Sequence, residues 1–121
     1  MDDTKYYTAD EVKAKTAGGD SYIRTRNNVV RGLAITLDKN PQAPKIIIVG
    51  DGVRIKENAE LFKGTLTAVK TFIKHDTNKW EYVGKYKVEK YSKSSEIIEK
   101  YRRHRAAGKV TGIIFLIKVS D

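Results

Sequence analysis

The sequence predicts an α+β domain, a curled and mostly antiparallel β-sheet or small β-barrel with two or three short flanking helices. Three observations predict it. Apolar and β-branched runs recur along the chain at strand length, and the stretch Trp80 to Tyr91 alternates with the period of two that a half-buried strand requires. Helix-start chemistry stands at only a few places, and the stretches that follow it are short. Successive strands are joined by hairpins and short crossovers, which favours a curled sheet over a doubly wound one. At 121 residues the chain has the size of one domain with one modest core. We take it as a single unit, with an N-terminal helical arm over residues 1–20 and a core over 22–119.

The elements follow in order. Thr8-Ala9-Asp10-Glu11 has the spacing of a capping box, so a short helix is expected there, ending before Gly18-Gly19. Asp20 to Asn28 is polar and Arg-bearing and reads as a loop with a short extended piece. Val29 to Leu37 is β-branched and reads as a strand. Both prolines lie in the turn chemistry of Asp38 to Pro44. Lys45 to Val49 is a continuous apolar run, as in a strand buried on both faces, and Gly50-Asp51-Gly52 ends it. A short helix is expected from about Lys56 to Lys63. The alternation Thr65, Thr67, Val69, Thr71, Ile73 predicts a strand, and His75 to Lys79 is the turn of a hairpin. On the return strand Trp80, Tyr82, Gly84, Tyr86 and Val88 are expected on one face. Ser94 or Ser95 caps a helix from Glu96 to about Ala107, with acids in its first turn, bases in its last and Gly108 as its stop. Val110 to Val119 closes the chain as an apolar strand.

Composition narrows the chemistry. The chain has no cysteine, which removes disulfides, thiolate nucleophiles, zinc ribbons and redox motifs together. No apolar run approaches the roughly 20 residues that span a bilayer. The N-terminus MDDTKYYTADEV lacks the pattern of a signal peptide, so an intracellular location is expected, nuclear or cytoplasmic according to the cell. A monomer is expected rather than an obligate oligomer. His75 and His104 have no partner at metal-ligand spacing, so neither a metal nor a cofactor is expected. Ser94 and Ser95 read as helix caps, and Gly50-Asp51-Gly52 lacks the glycine pattern and the Lys-Ser/Thr of a P-loop. No catalytic constellation stands out.

The charge is more informative. Twenty-four Lys and Arg against fifteen Asp and Glu give +9, which draws polyanions to a small domain. The acids gather in the first twenty positions, whereas the arginines group at Arg24, Arg26 and Arg31, at Arg54, and at Arg102, Arg103 and Arg105. Grouped arginine suits phosphate because its planar fork bonds an oxyanion at two points. These residues, with Lys56, are the candidate phosphate contacts. Trp80, Tyr82 and Tyr86 read first as core aromatics of a curled sheet, but one at the rim is placed to stack on an unpaired base, worth about 1–3 kcal/mol.

Trp80-Glu81-Tyr82-Val83-Gly84-Lys85-Tyr86-Lys87-Val88 has the form W-x-Y-x-G-x-Y-x-V. Ahead of it lie Ile46-Ile47-Ile48-Val49-Gly50-Asp51-Gly52 and Asn58-Ala59-Glu60-Leu61; behind it lie a basic helix and Gly112-Ile113-Ile114-Phe115-Leu116-Ile117. That order, over residues 22–119, resembles the SRA (YDG) domains and their SRA-like relatives in the PUA-like superfamily, which include modules placed before HNH nuclease domains. The resemblance implies a curled β-barrel that grips duplex DNA and flips a modified cytosine, 5-methyl- or 5-hydroxymethylcytosine, into a pocket. By position Asp51 resembles the acid that reads the base edge, and a carboxylate suits the cytosine N4 amino group. Tyr22, Trp80 and Tyr82 are the aromatic candidates for that pocket, and the Arg24 to Arg31 segment corresponds to a loop that approaches the DNA. The YDG tripeptide and the GGRD-like loop of the family are absent, and the chain is shorter than a full SRA domain. The expected function is thus a non-catalytic DNA-binding module, with a PUA-like RNA- or single-strand-binding module as the alternative and processing of a nucleotide at Asp51 third.

Overall fold

The computed structural model describes residues 5–19, 21–103 and 109–121. The first strand, β1 (Tyr6–Tyr7), is followed by α1 (Ala9–Lys15), and the capping box forms as spaced. Thr8 Oγ1 accepts from the Glu11 amide at 3.2 Å, and Glu11 Oε1 accepts from the Thr8 amide at 2.9 Å. Two of the free donors of the first turn are thereby satisfied.

Residues 20–28, expected mainly as loop, contain a strand, β2 (Ile23–Arg26), which forms a hairpin with β3 (Val29–Thr36). The turn is Asn27-Asn28, both at positive φ (53° and 61°), a conformation Asn tolerates through its short polar side chain. The apolar run becomes β4 (Ile46–Val49), and α2 (Val53–Lys63) starts immediately after Gly52, three residues earlier than expected. Then come β5 (Val69–Asp76), β6 (Lys79–Ser92), α3 (Ser95–Arg102) and β7 (Gly112–Ser120). Leu66, expected at the start of β5, is exposed outside it. The part of the last helix expected beyond Arg103 lies outside the described residues.

Among the described residues the strands form one seven-stranded sheet in the order β2-β3-β5-β6-β7-β4, with β1 beside β6. Every pairing is antiparallel except β3 with β5, which run parallel because the chain leaves β3, passes through β4 and α2, and returns. Alternation along β3 separates two cores: Leu33 and Ile35 face one cluster, and Ala34 between them faces another. The larger cluster takes Ile23, Ile47, Val49, Val69, Tyr86 and Ile114 from the sheet and Ala59 and Phe62 from α2. Phe62 is fully buried, and truncating such a ring to alanine costs about 3–5 kcal/mol. On the other face Val12 of α1 packs with Ala34, Phe72 and Trp80. A third cluster seats Ile97, Ile98 and Tyr101 of α3 on Ile48, Ile113 and Phe115.

The expectation that Trp80 through Val88 share one face does not hold. The β5–β6 register shifts between Thr71 and Phe72: Phe72 faces Tyr82 while Thr71 faces Gly84, leaving Val83 as the extra residue. One inserted residue exchanges the two faces of a strand. Trp80 and Tyr82 therefore lie on the α1 side, while Tyr86 and Val88 lie against the α2-side cluster. A second shift, between Val88 and Lys90, occurs where β6 meets β7. These bulges curl the sheet.

Candidate nucleic-acid interface

The geometry begins at the end of β4. Buried on both sides, Ile47 and Val49 on one and Ile48 on the other, the strand delivers Gly50-Asp51-Gly52 to the surface and runs at once into α2. Gly52 is the N-cap of that helix and carries no side chain to close it, so the amides of its first turn have no side-chain cap. That end bears the positive pole of the helix and attracts anions.

Short polar contacts hold the turn in place. Thr111 Oγ1 donates to the Gly50 carbonyl at 2.7 Å, and the Thr111 amide donates to Val49 O at 2.8 Å. Asn40, fully buried, accepts the Ile48 amide on Oδ1 at 2.7 Å, and the Tyr22 hydroxyl donates to the Ile48 carbonyl. Asn58 Nδ2 donates to Ile23 O at 3.0 Å, which ties α2 to β2 one residue beyond Tyr22. Both the carboxylate-bearing turn and the tyrosine beside it are thus placed by buried backbone contacts.

Between them opens a pocket of about 380 Å³ lined by Ser21, Tyr22, Lys39, the Gly50–Gly52 turn and the first residues of α2, including Arg54. Its volume suits one small ligand rather than an extended one. Tyr22 supplies a half-buried aromatic wall, Asp51 an exposed carboxylate, and Lys39 and Arg54 two cations beside the helix end. A carboxylate accepts from an amino group, the ring packs on a planar face, and the cations with the helix terminus favour a phosphate.

The structure brings Asp51, Tyr22 and Arg54 together and puts other candidates elsewhere. Trp80 does not line this pocket. It is only 7% exposed, packed with Val12, Ala34 and Phe72 on the α1 side, and its indole Nε1 finds no partner among the described residues. Tyr82 lies on that same side, its ring 5.2 Å from Phe72. Burial, and next the Asp121 carboxylate, raise its phenol above the ordinary value, which keeps it neutral. Arg24 turns inward and donates from Nη1 to Ala17 O at 3.0 Å, bracing the segment after α1. Arg26 and Arg31 line a cleft at the far end of the β2–β3 hairpin with Lys15, Lys70 and Lys85. Arg26 ends β2, whereas Tyr22 precedes its first residue. Lys56 is exposed on α2 beyond the pocket lining. Arg102 pairs with Glu99 at 3.4 Å on exposed α3, and Arg103 is the exposed C-cap of that helix. Arg105 lies outside the described residues.

Sequence reasoning missed Lys39, Asn40 and Thr111. Lys39 and Asn40 were absorbed into turn chemistry next to Pro41, and Thr111 stood inside the expected final strand; nothing local marks any of them as supporting the Asp51 turn. Among the described residues no group of three or more His, Asp or Glu side chains is placed to hold a metal, and no helix is long and apolar enough to cross a membrane.

Two solved structures share this architecture. One is the SRA domain of SUVH5 in complex with methylated CHH DNA, at TM-score 0.60 and 13% identity, covering 95% of this chain and 86% of that one. The other is the same domain with hemi-methylated CG DNA, at TM-score 0.60 and 16% identity, covering 95% and 85%. The fold is that of an SRA domain. The SRA-like fold confirms the curled α+β sheet expected from the sequence. No family model and no curated protein matches the sequence.

Proposed function

We propose that this chain is a reader of modified DNA that receives an extruded modified cytosine in the pocket between Tyr22 and Asp51. The observation that carries the reading is the turn itself: a carboxylate at the mouth of a small pocket, beside an aromatic wall and an uncapped helix end, on an SRA-like fold. Both SUVH5 neighbours hold methylated DNA.

The chemistry assigns each group a part. Asp51 accepts from the cytosine N4 amino group, a contact worth about 1–3 kcal/mol against the wrong base and common to plain and modified cytosine. Tyr22 packs on the face of the base; its hydroxyl is held by Ile48, so the ring contributes stacking rather than a hydrogen bond to the ligand. Stacking of this kind contributes about 1–3 kcal/mol. Arg54, Lys39 and the α2 terminus hold a phosphate next to the flipped nucleotide. Taking a base out of the duplex costs a few kcal/mol, and these contacts must outweigh that cost.

Electrophoretic mobility shifts with plain, 5-methylcytosine and 5-hydroxymethylcytosine duplexes, and with an RNA of the same sequence, test the reading. Contacts to the base add to the phosphate contribution, so the modified duplex retains its advantage as salt rises and the shared phosphate contribution weakens. Equal affinity for plain and modified duplexes at every salt concentration, or stronger binding of the RNA that is lost in Asp51→Ala, overturns it.

A further inference from the structure

The α1 side of the sheet carries a second feature, separate from the Asp51 pocket. Two clefts of about 520 and 290 Å³ adjoin there and share Lys15, Lys70 and Lys85 as walls. Arg26 and Arg31 extend the first cleft; Tyr7, Phe72 and Tyr82 form the aromatic end of the second. None of these five cations is in an ion pair among the described residues, whereas the described pairs (His75–Glu81, Lys93–Glu60, Arg102–Glu99 and Lys118–Asp121) involve other cations. The acid at the cleft, Asp121, faces Lys118 at 2.8 Å.

The arrangement breaks a local rule. Lys70 and Lys85 are direct cross-strand partners in the β5–β6 ladder, and like charges placed opposite each other destabilise a sheet. Such violations mark functional positions, where a ligand supplies what the fold lacks. A polyanion lying along the cleft removes the repulsion.

We propose that this face is a second nucleic-acid site, taking a single strand. The phosphates lie along Arg31, Arg26, Lys70, Lys85 and Lys15, and an unpaired base packs on Tyr82, beside Tyr7, whose ring Lys5 and Lys15 cover at 5.1 and 5.5 Å. Phe72 underlies both tyrosines, its ring 5.5 Å from Tyr7 and 5.2 Å from Tyr82, and so fixes the platform. A base inside a duplex has both faces covered by its neighbours; a stacking platform at the end of a basic cleft therefore selects an unpaired strand.

The test is the salt dependence of binding, by fluorescence anisotropy, of a labelled oligothymidylate of about eight residues, within the length range such grooves cover. Each phosphate neutralised contributes about −0.7 to the slope of log K against log salt for a single strand, so five contacts give about −3.5. The Lys70→Gln/Lys85→Gln variant, altered only at side chains that reach solvent, is expected to reduce that slope to about −2.1 while keeping the wild-type ratio of modified to plain duplex affinity. Tyr82→Leu is expected to lower affinity roughly ten-fold at fixed salt, the loss of one stacked base. Asp51→Ala leaves oligothymidylate binding intact, so failure of the pocket and failure of this site give different results. An unchanged slope and affinity in the double lysine variant overturn the proposal. So does displacement of the oligonucleotide by polyglutamate of equal charge as effectively as by unlabelled oligonucleotide, which marks a site for acidic protein instead.

Discussion

Asp51 and Tyr22 stand far apart in the sequence, and what joins them is backbone. The Tyr22 hydroxyl and the Asn40 amide oxygen both bond Ile48, two residues before the turn that presents the carboxylate. Tyr22→Phe is expected to keep the aromatic wall and lose the bond to Ile48 O. Thermal unfolding should then show a loss of about 1 kcal/mol, with the ratio of modified to plain duplex affinity preserved. Trp80→Phe separates a core role from a pocket role: it lowers the melting temperature by loss of packed volume and leaves that ratio at the wild-type value. A fall in the ratio places Trp80 in the DNA-binding machinery instead. Asp51 was a candidate only through its position in the family resemblance, since the Gly50-Asp51-Gly52 stretch alone reads as a tight turn; the structure sets it on the lining of one pocket with Tyr22. Thr111 was not legible, since its bond to Gly50 depends on a β4–β7 pairing between segments far apart in the chain, and Lys39 was not, since it reaches the pocket from the segment between β3 and β4.

The elements were largely legible where chemistry is local. The Thr8 capping box, the apolar β4 and the hairpin at Asn78 each follow from a few adjacent residues. What escaped was the bulge in β6, because register depends on the partner strand. Gly84 marks it, with φ at +117°, and a Cβ there meets Ser120 O at 2.8 Å. Gly84→Ala is expected to destabilise the fold by about 1–3 kcal/mol, read as a lowered denaturant midpoint. The start of α2 escaped as well, since Gly52 carries no capping side chain to announce it. At α1 the backbone hydrogen bond from Thr8 holds the Glu11 carboxyl below its ordinary value of 4.5. A lowered pKa in the folded state stabilises above 4.5, and that contribution disappears as pH falls through the folded value. The protection of the α1 amides, taken relative to their intrinsic exchange at each pH, should fall over that range, and Glu11→Gln, which keeps an acceptor without a titrating group, should flatten the dependence.

At the scale of the molecule, the net charge of +9 pointed to a polyanion, but composition cannot say on which face. The arginines read as candidate phosphate contacts stand at separate places, and one group is itself divided. Arg54 stands at the Asp51 pocket, Arg26 and Arg31 at the lysine cleft, and Arg24 braces the chain after α1. On the reading proposed above, base recognition and charge reside at different residues. That reading is tested most directly by measuring, at matched salt, the ratio of affinities for 5-methylcytosine and plain duplexes in the wild type and in Asp51→Ala. A wild-type ratio of about ten or more is expected to fall towards one in the variant, because the contacts that hold the extruded base are lost while the phosphate contacts, and with them the salt slope, remain. An unaltered ratio in Asp51→Ala contradicts it.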